Sequence, residues 1–250
     1  MAKSAKSMKQ LNFILQSKGG VGKSFLVWLL ANQEKENETA LFIDLDNSTQ
    51  TSNARLARLV GQNRVSHYSI LDENKKIERE EFLNMLQAFS QIPAQKIYID
   101  FGAPESEEFL KFLRYEFSAE TLKEAADMLE ISIRFNVIIA GNDTVSACLN
   151  YSQALTGLIQ DYFPVLWFYN VGLSGGIETR ETTKIGLITV IEQNGLKAQL
   201  IPFGDLGFSQ SAKDIVKMLA DGSTPDTLPF ASKLKFNQVM KEFQSSLSHV

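Results

Sequence analysis

The chain of 250 residues has one cysteine, Cys148, and two histidines, His67 and His249. A single thiol excludes a disulfide framework, a Cys-x-x-Cys metal site and an iron–sulfur cluster carried by one chain. Neither histidine has a motif partner, so neither suggests catalysis. No apolar run reaches the roughly 18 residues of a membrane-spanning helix. The lysines near the N-terminus have no signal-peptide core after them. A reducing cytoplasm is therefore the expected compartment, with no membrane contact. Excess positive charge is missing too. The net charge is −4, so any contact with nucleic acid needs a local patch.

What is present alternates. Short continuous apolar runs at 11–16, 39–46, 96–101, 135–141, 164–170 and 196–203 read as buried strands. Helical stretches lie between them, at 24–37, at the end of 48–60, and at 78–91, 118–130, 143–163 and 178–195. Two more follow near 209–220 and 231–248. Phe82, Leu83, Leu86 and Phe89 form the apolar face of 78–91. Ser118 is placed to cap its helix, and Gly195 to end another. Continuous rather than alternating strands, separated by helices, predict a mostly parallel sheet covered on both faces. The expected fold class is α/β, a single doubly wound domain over 11–250. Cys148, Trp28 and Trp167 are expected in its core.

Residues 1–10 carry Lys3, Lys6 and Lys9 and no acid. They read as a flexible tail or expression remnant, or as a basic arm for DNA. Residues 72–130 hold fourteen acids and seven bases, whereas 180–250 is close to neutral with seven lysines. A DNA-facing patch would lie there or in the tail. Solvated helix faces explain the same lysines.

The segment "SKGGVGKS" (17–24) follows the first strand and opens the first helix. The general phosphate-binding pattern is G-x-x-x-x-G-K-[ST]. Gly22, Lys23 and Ser24 complete it, but Ser17 stands where its first glycine belongs. Gly19, Gly20 and Gly22 let the backbone curl so that its amides meet phosphate oxygens. The helix beginning near Ser24 adds its positive end. Lys23 is placed to reach the β- and γ-phosphates, and the Ser24 hydroxyl to ligate magnesium. The general pattern leaves Lys18 unexplained.

With Lys18 the loop reads KGGVGKS, which resembles the deviant Walker A ATPases typified by ParA and MinD. The resemblance implies an ATP and Mg²⁺ site contacted by Lys18, Gly19, Gly20, Val21, Gly22, Lys23, Ser24 and Phe25. It also implies that Lys18 crosses to phosphates held by a second subunit, which makes ATP the glue of a homodimer. A merely solvated Lys18 is the alternative. "FIDLDNSTQTS" is similar to the family's second motif, D-x-D-P-Q: Asp44 and Asp46 match its acids, Gln50 lies near its glutamine, and Asn47 replaces its proline. By resemblance Asp46 positions the attacking water near magnesium, and a helix cap is the bland alternative. "IYIDFGAPESEEF" looks like Walker B and switch II: Asp100 holds magnesium through water, Gly102 approaches the γ-phosphate, and Pro104 matches a proline common there. Asn170 would read the adenine edge and Pro202 lie by the base. Asn170 is equally an ordinary strand-end turn residue.

The narrower match, on 13–24 and 163–170, is to plasmid-borne proteins of the TraL and StbB type. The implied function is an ATPase switch in plasmid partition or conjugal transfer, working with a DNA-binding adaptor and in contact with DNA. Alternatives are a MinD-like positioning ATPase and a nucleotide-bound scaffold that does not hydrolyse. A ligase of the dethiobiotin-synthetase type shares the fold, but it needs convergent polar groups near the γ-phosphate, and the sequence offers no such cluster. Residues 233–247 are amphipathic with few bases, which fits core packing better than a membrane anchor.

Overall fold

The computed structural model of the chain describes residues 8–45, 51–74 and 76–248. Lys3, Lys6, Asp46, Asn47, Gln50 and His249 lie outside them. Seven strands form one sheet: β1 (Lys9–Leu15), β2 (Ala40–Asp44), β3 (Val65–His67), β4 (Lys96–Asp100), β5 (Ile131–Ala140), β6 (Val165–Asn170) and β7 (Ala198–Phe203). Their order is β3-β2-β4-β1-β5-β6-β7, and every pair is parallel. The helices are α1 (Lys23–Gln33), α2 (Thr51–Val60), α3 (Glu81–Gln91), α4 (Ala103–Tyr115), α5 (Ala119–Met128), α6 (Val145–Ile159), α7 (Ile177–Gln193), α8 (Gln210–Asp221) and α9 (Phe230–Leu247).

Continuous apolar runs become strands here because both sheet faces are covered. Successive residues of β6 show it. Trp167 donates its indole N–H to Thr156 Oγ1 of α6 at 2.9 Å. Phe168 faces the other way, against Phe243 of α9, with ring centroids 6.4 Å apart. On the α4 and α6 face, Phe13, Phe101, Phe109 and Phe135 form a ring cluster with centroids 5.1–6.0 Å apart. Cys148 and Trp28 lie in the core as well. The Cys148 thiol is pushed up by burial, which keeps it an unreactive packing group.

α9 belongs to the core. Phe236, Val239 and Phe243 are buried, and Phe236 meets Trp28 of α1 edge-on at 5.6 Å. No helix among the described residues is long and apolar enough to cross a membrane. Ser118 does cap α5, its Oγ accepting from the Thr121 amide at 3.1 Å. Gly195 follows α7 with φ +59°, in the left-handed region where a Cβ is disfavoured.

The structure departs from the sequence reading at several points. Lys9 and Gln10, read as the end of a flexible tail, begin β1, and Lys9 Nζ donates to the carbonyls of Phe89 at 2.8 Å and Ser90 at 2.6 Å. β3 is a seventh strand; it is three residues long, and two of its side chains are exposed, so no apolar run marks it. α4 occupies the stretch read only as a switch segment. Pro104 sits in its first turn, where no amide partner is needed. The first helix stops at Gln33, short of residue 37. Buried Arg64 closes that end, donating to the carbonyls of Glu34, Lys35 and Ala40 at 2.8–2.9 Å.

Candidate functional site

β1 lies between β4 and β5, and the chain builds the sheet to one side of it before crossing to the other. The crevice at the carboxyl ends of such strands is where doubly wound sheets bind ligands. The glycine loop, Asp44, Asp100 and Asn170 all end strands there.

The loop is anchored at Gln16, a fully buried side chain directly after β1. Its amide nitrogen donates to the carbonyls of Ile138 at 2.7 Å and Cys148 at 3.3 Å. Its backbone N–H donates to Ser106 Oγ at 3.1 Å, and that hydroxyl donates to the Gly102 carbonyl at 2.8 Å. Its side-chain oxygen accepts from the Lys18 amide at 3.3 Å. One glutamine thus ties the loop to β5, α6 and the start of α4. Sequence reasoning missed it; the one local signal is a polar residue wedged between an apolar run and the glycines.

Gly20 and Gly22 have φ +74° and +101°. A Cβ at Gly22 would stand 2.3 Å from Asn170 Nδ2, whereas one at Gly19 would meet nothing within 4 Å. The two glycines therefore serve different ends. Gly22→Ala is expected to lose about 1–3 kcal/mol through strain and a displaced Asn170. Gly19→Ala should stay within about 0.5 kcal/mol of wild type. Urea unfolding of both variants checks the contrast.

Lys23 Nζ turns back over the loop and donates to the carbonyls of Gln16 at 2.9 Å and Lys18 at 3.4 Å. Lys18 itself is exposed at the rim. No acid occupies the first turn of α1, so its positive end faces no carboxylate of its own. Ser24 Oγ donates to Asp100 Oδ2 at 3.2 Å. Asp44 and Asp100 are register partners on adjacent strands, and both are buried. Two neighbouring carboxylates with a hydroxyl suit a hard divalent cation such as Mg²⁺. Among the described residues no three His, Cys, Asp or Glu side chains converge. Magnesium needs no such cage, because it takes one or two carboxylates and fills its shell with phosphate and water.

Asn170 is buried, and its Nδ2 donates to the Val21 carbonyl at 3.0 Å. It braces the glycine loop from β6. Phe25 packs near Phe203, with centroids 6.1 Å apart, beside Gly204. Pro202 lines a neighbouring cavity of about 240 Å³ with Tyr169, Arg180 and Asp205. Gly102 is the N-cap of α4, with its carbonyl held by Ser106. The structure therefore gathers Lys23, Ser24, Asp44, Asp100, Gly102 and Asn170 around one loop. Pro202 stands off it along β7.

No protein-family model matches the chain, and no curated protein matches its sequence. Solved structures do. A Borrelia burgdorferi B31 protein assigned to plasmid partition, bound to AMPPNP, superposes with a TM-score of 0.55 at 14 % identity. That match covers 96 % of this chain and 97 % of the other. MinD from Aquifex aeolicus gives 0.52 at 14 % identity, over 96 % of this chain and 98 % of its own. The MinC:MinD complex from Aquifex aeolicus gives 0.53 at 12 % identity, over 96 % of each chain. At these identities the likeness speaks for architecture, and the chain has the fold of the ParA/MinD-type P-loop ATPases.

Proposed function

We propose that the protein is an ATP-dependent switch that dimerises around bound nucleotide and acts in plasmid partition or conjugal transfer. One observation carries the reading. An open glycine loop holds a lysine over its mouth at Lys23 and presents a second, exposed lysine, Lys18, at its rim. A single site needs one cation against the terminal phosphates. The second becomes useful when a neighbouring copy brings its own phosphates within reach.

In this reading the loop amides and Lys23 bind the triphosphate, while Ser24 and Asp100 hold the metal. Magnesium held by Ser24 and Asp100 would neutralise phosphate charge. Asp46 orients the water that attacks the γ-phosphorus, giving ADP and phosphate. Asn170 keeps the loop in its curled shape through Val21, so its donor serves the phosphates indirectly. A DNA-bound adaptor would then sense the dimer. The ligase alternative has the same fold, so what favours the switch over it is the exposed second lysine at the loop rim.

The test is molecular size with ADP and with ATP, each with and without duplex DNA. Wild type should become dimeric with ATP only. Lys18→Ala should bind ATP and remain monomeric. A wild type that binds ATP tightly as a monomer would refute the shared site. Indifference to DNA in every state would favour the scaffold reading. Gly19→Ala offers a second check: its fold should be intact, but its nucleotide affinity should fall about tenfold or more, because a methyl group would stand where phosphate must approach.

A further inference from the structure

On its α1 and α9 face the sheet is not uniformly apolar. β5 alternates Ile131, Ile133 and Phe135 on one face with Ser132, Arg134 and Asn136 on the other. β1 adds Gln10 and Asn12 at the same level. Asn12 is the register partner of Tyr98 on one side and Arg134 on the other. A sheet face covered by helices ordinarily reads apolar throughout. This polar patch lies where β1 begins and α1 ends, at the end of both elements remote from the glycine loop.

A cavity of about 160 Å³ opens against it, lined by Asn12, Glu34, Lys96, Tyr98, Arg134 and Asn136 among others. Two donors facing this level of the sheet are buried with no hydrogen-bond partner among the described residues: Asn12 Nδ2 and Arg134 Nε. Asn12 as a whole is only 3 % exposed. The carboxylate that lines the cavity is committed. Glu34 Oε1 takes Lys96 Nζ at 2.7 Å and Tyr98 Oη at 2.9 Å, and Glu34 Oε2 takes Asn37 Nδ2 at 2.7 Å. Burial opposes ionisation of Glu34, yet those hydrogen bonds and the Lys96 charge hold its carboxyl below the usual range. Lys96 and Glu34 cancel. Among the described residues no acid pairs with Arg134.

We infer that this cavity is a second binding pocket, made for a small oxyanion whose oxygens accept from Asn12 and Arg134. An amide N–H beside a guanidinium is a donor set for carboxylate or phosphate oxygens. The volume equals roughly five water molecules at about 30 Å³ each, enough for such a group and too small for a nucleotide. The pocket is separate from the glycine loop, and its occupancy does not depend on the proposed ATPase activity.

The experiment uses Lys23→Ala, so that an anion at the glycine loop does not obscure the result. Its melting temperature is followed against sodium acetate and against sodium phosphate, with ionic strength held by sodium chloride. A ligand that binds the folded state alone raises the melting temperature with its concentration. A rise is expected with at least one anion, and which one responds separates a carboxylate from a phosphate ligand. Adding Arg134→Gln should weaken the response about tenfold or more. Asn12→Leu, which fills the pocket with an apolar group of similar size, should abolish it. The side-chain amide resonance of Asn12, followed by NMR in Lys23→Ala alone, should shift with the same anion and needs no further folded variant. No rise with either anion, a rise untouched by Arg134→Gln and Asn12→Leu, or an unmoved Asn12 amide would each overturn the pocket and leave a water-filled cavity.

Discussion

Lys23→Ala is expected to abolish nucleotide binding at micromolar concentrations while leaving the fold intact. The ammonium group rests on two loop carbonyls, Gln16 at 2.9 Å and Lys18 at 3.4 Å. Hydrogen bonds to a charged group contribute about 1.5–3 kcal/mol each. Two such bonds to phosphate oxygens amount to about 3–6 kcal/mol, or of order 10²–10⁴ in affinity. The folded protein loses much less, because the loop is open to water and both carbonyls can hydrate. Titration with a fluorescent ATP analogue reads the affinity, and urea unfolding reads the fold. Lys23→Arg should not restore binding, since a planar fork cannot take the place of a compact point charge between the loop carbonyls. Wild-type affinity in Lys23→Ala would remove the basis for the triphosphate site.

The loop was legible in the sequence because everything that shapes it is local. Three glycines, two lysines and a serine fall within seven residues, with an apolar run before and a helix after. Gln16 was not legible, because its roles depend on partners 90, 122 and 132 residues away, in Ser106, Ile138 and Cys148. Asn170 shows the intermediate case. Its place at a strand end could be read, but its bond to Val21 spans 149 residues and exists only once β6 is seated. The parallel sheet was readable from its continuous apolar strands. β3 was not, because an edge strand needs one partner and one buried side chain, and Val65 alone supplies the latter. The polar stripe of Asn12, Arg134 and Asn136 interrupts the apolar runs of β1 and β5. Its meaning appears only when the register sets Asn12 beside Arg134.

Phe109→Ala should be the most destabilising single change among the aromatic residues. The ring is 1 % exposed and stands at the centre of the cluster. It meets Phe13 of β1 at 5.7 Å, Phe82 of α3 at 5.1 Å, Phe101 after β4 at 5.6 Å and Phe135 of β5 at 6.0 Å. Truncation forfeits the transfer of the ring and leaves a cavity that four anchored neighbours cannot close, at about 3–5 kcal/mol. A domain stable by about 5–15 kcal/mol keeps its fold after such a loss but little margin. Phe109→Leu should recover more than half of the deficit, because most of the volume returns. Phe230→Ala, at a ring 78 % exposed, is the control and should stay within about 0.5 kcal/mol. The site should survive the loss, because β1 and β4, which carry the glycine loop and Asp100, stay paired through their own backbones. Nucleotide should therefore raise the melting temperature of Phe109→Ala and of wild type alike, the variant from a lower start. A loss below about 1 kcal/mol would mean that the ring cluster does not hold these strands in place.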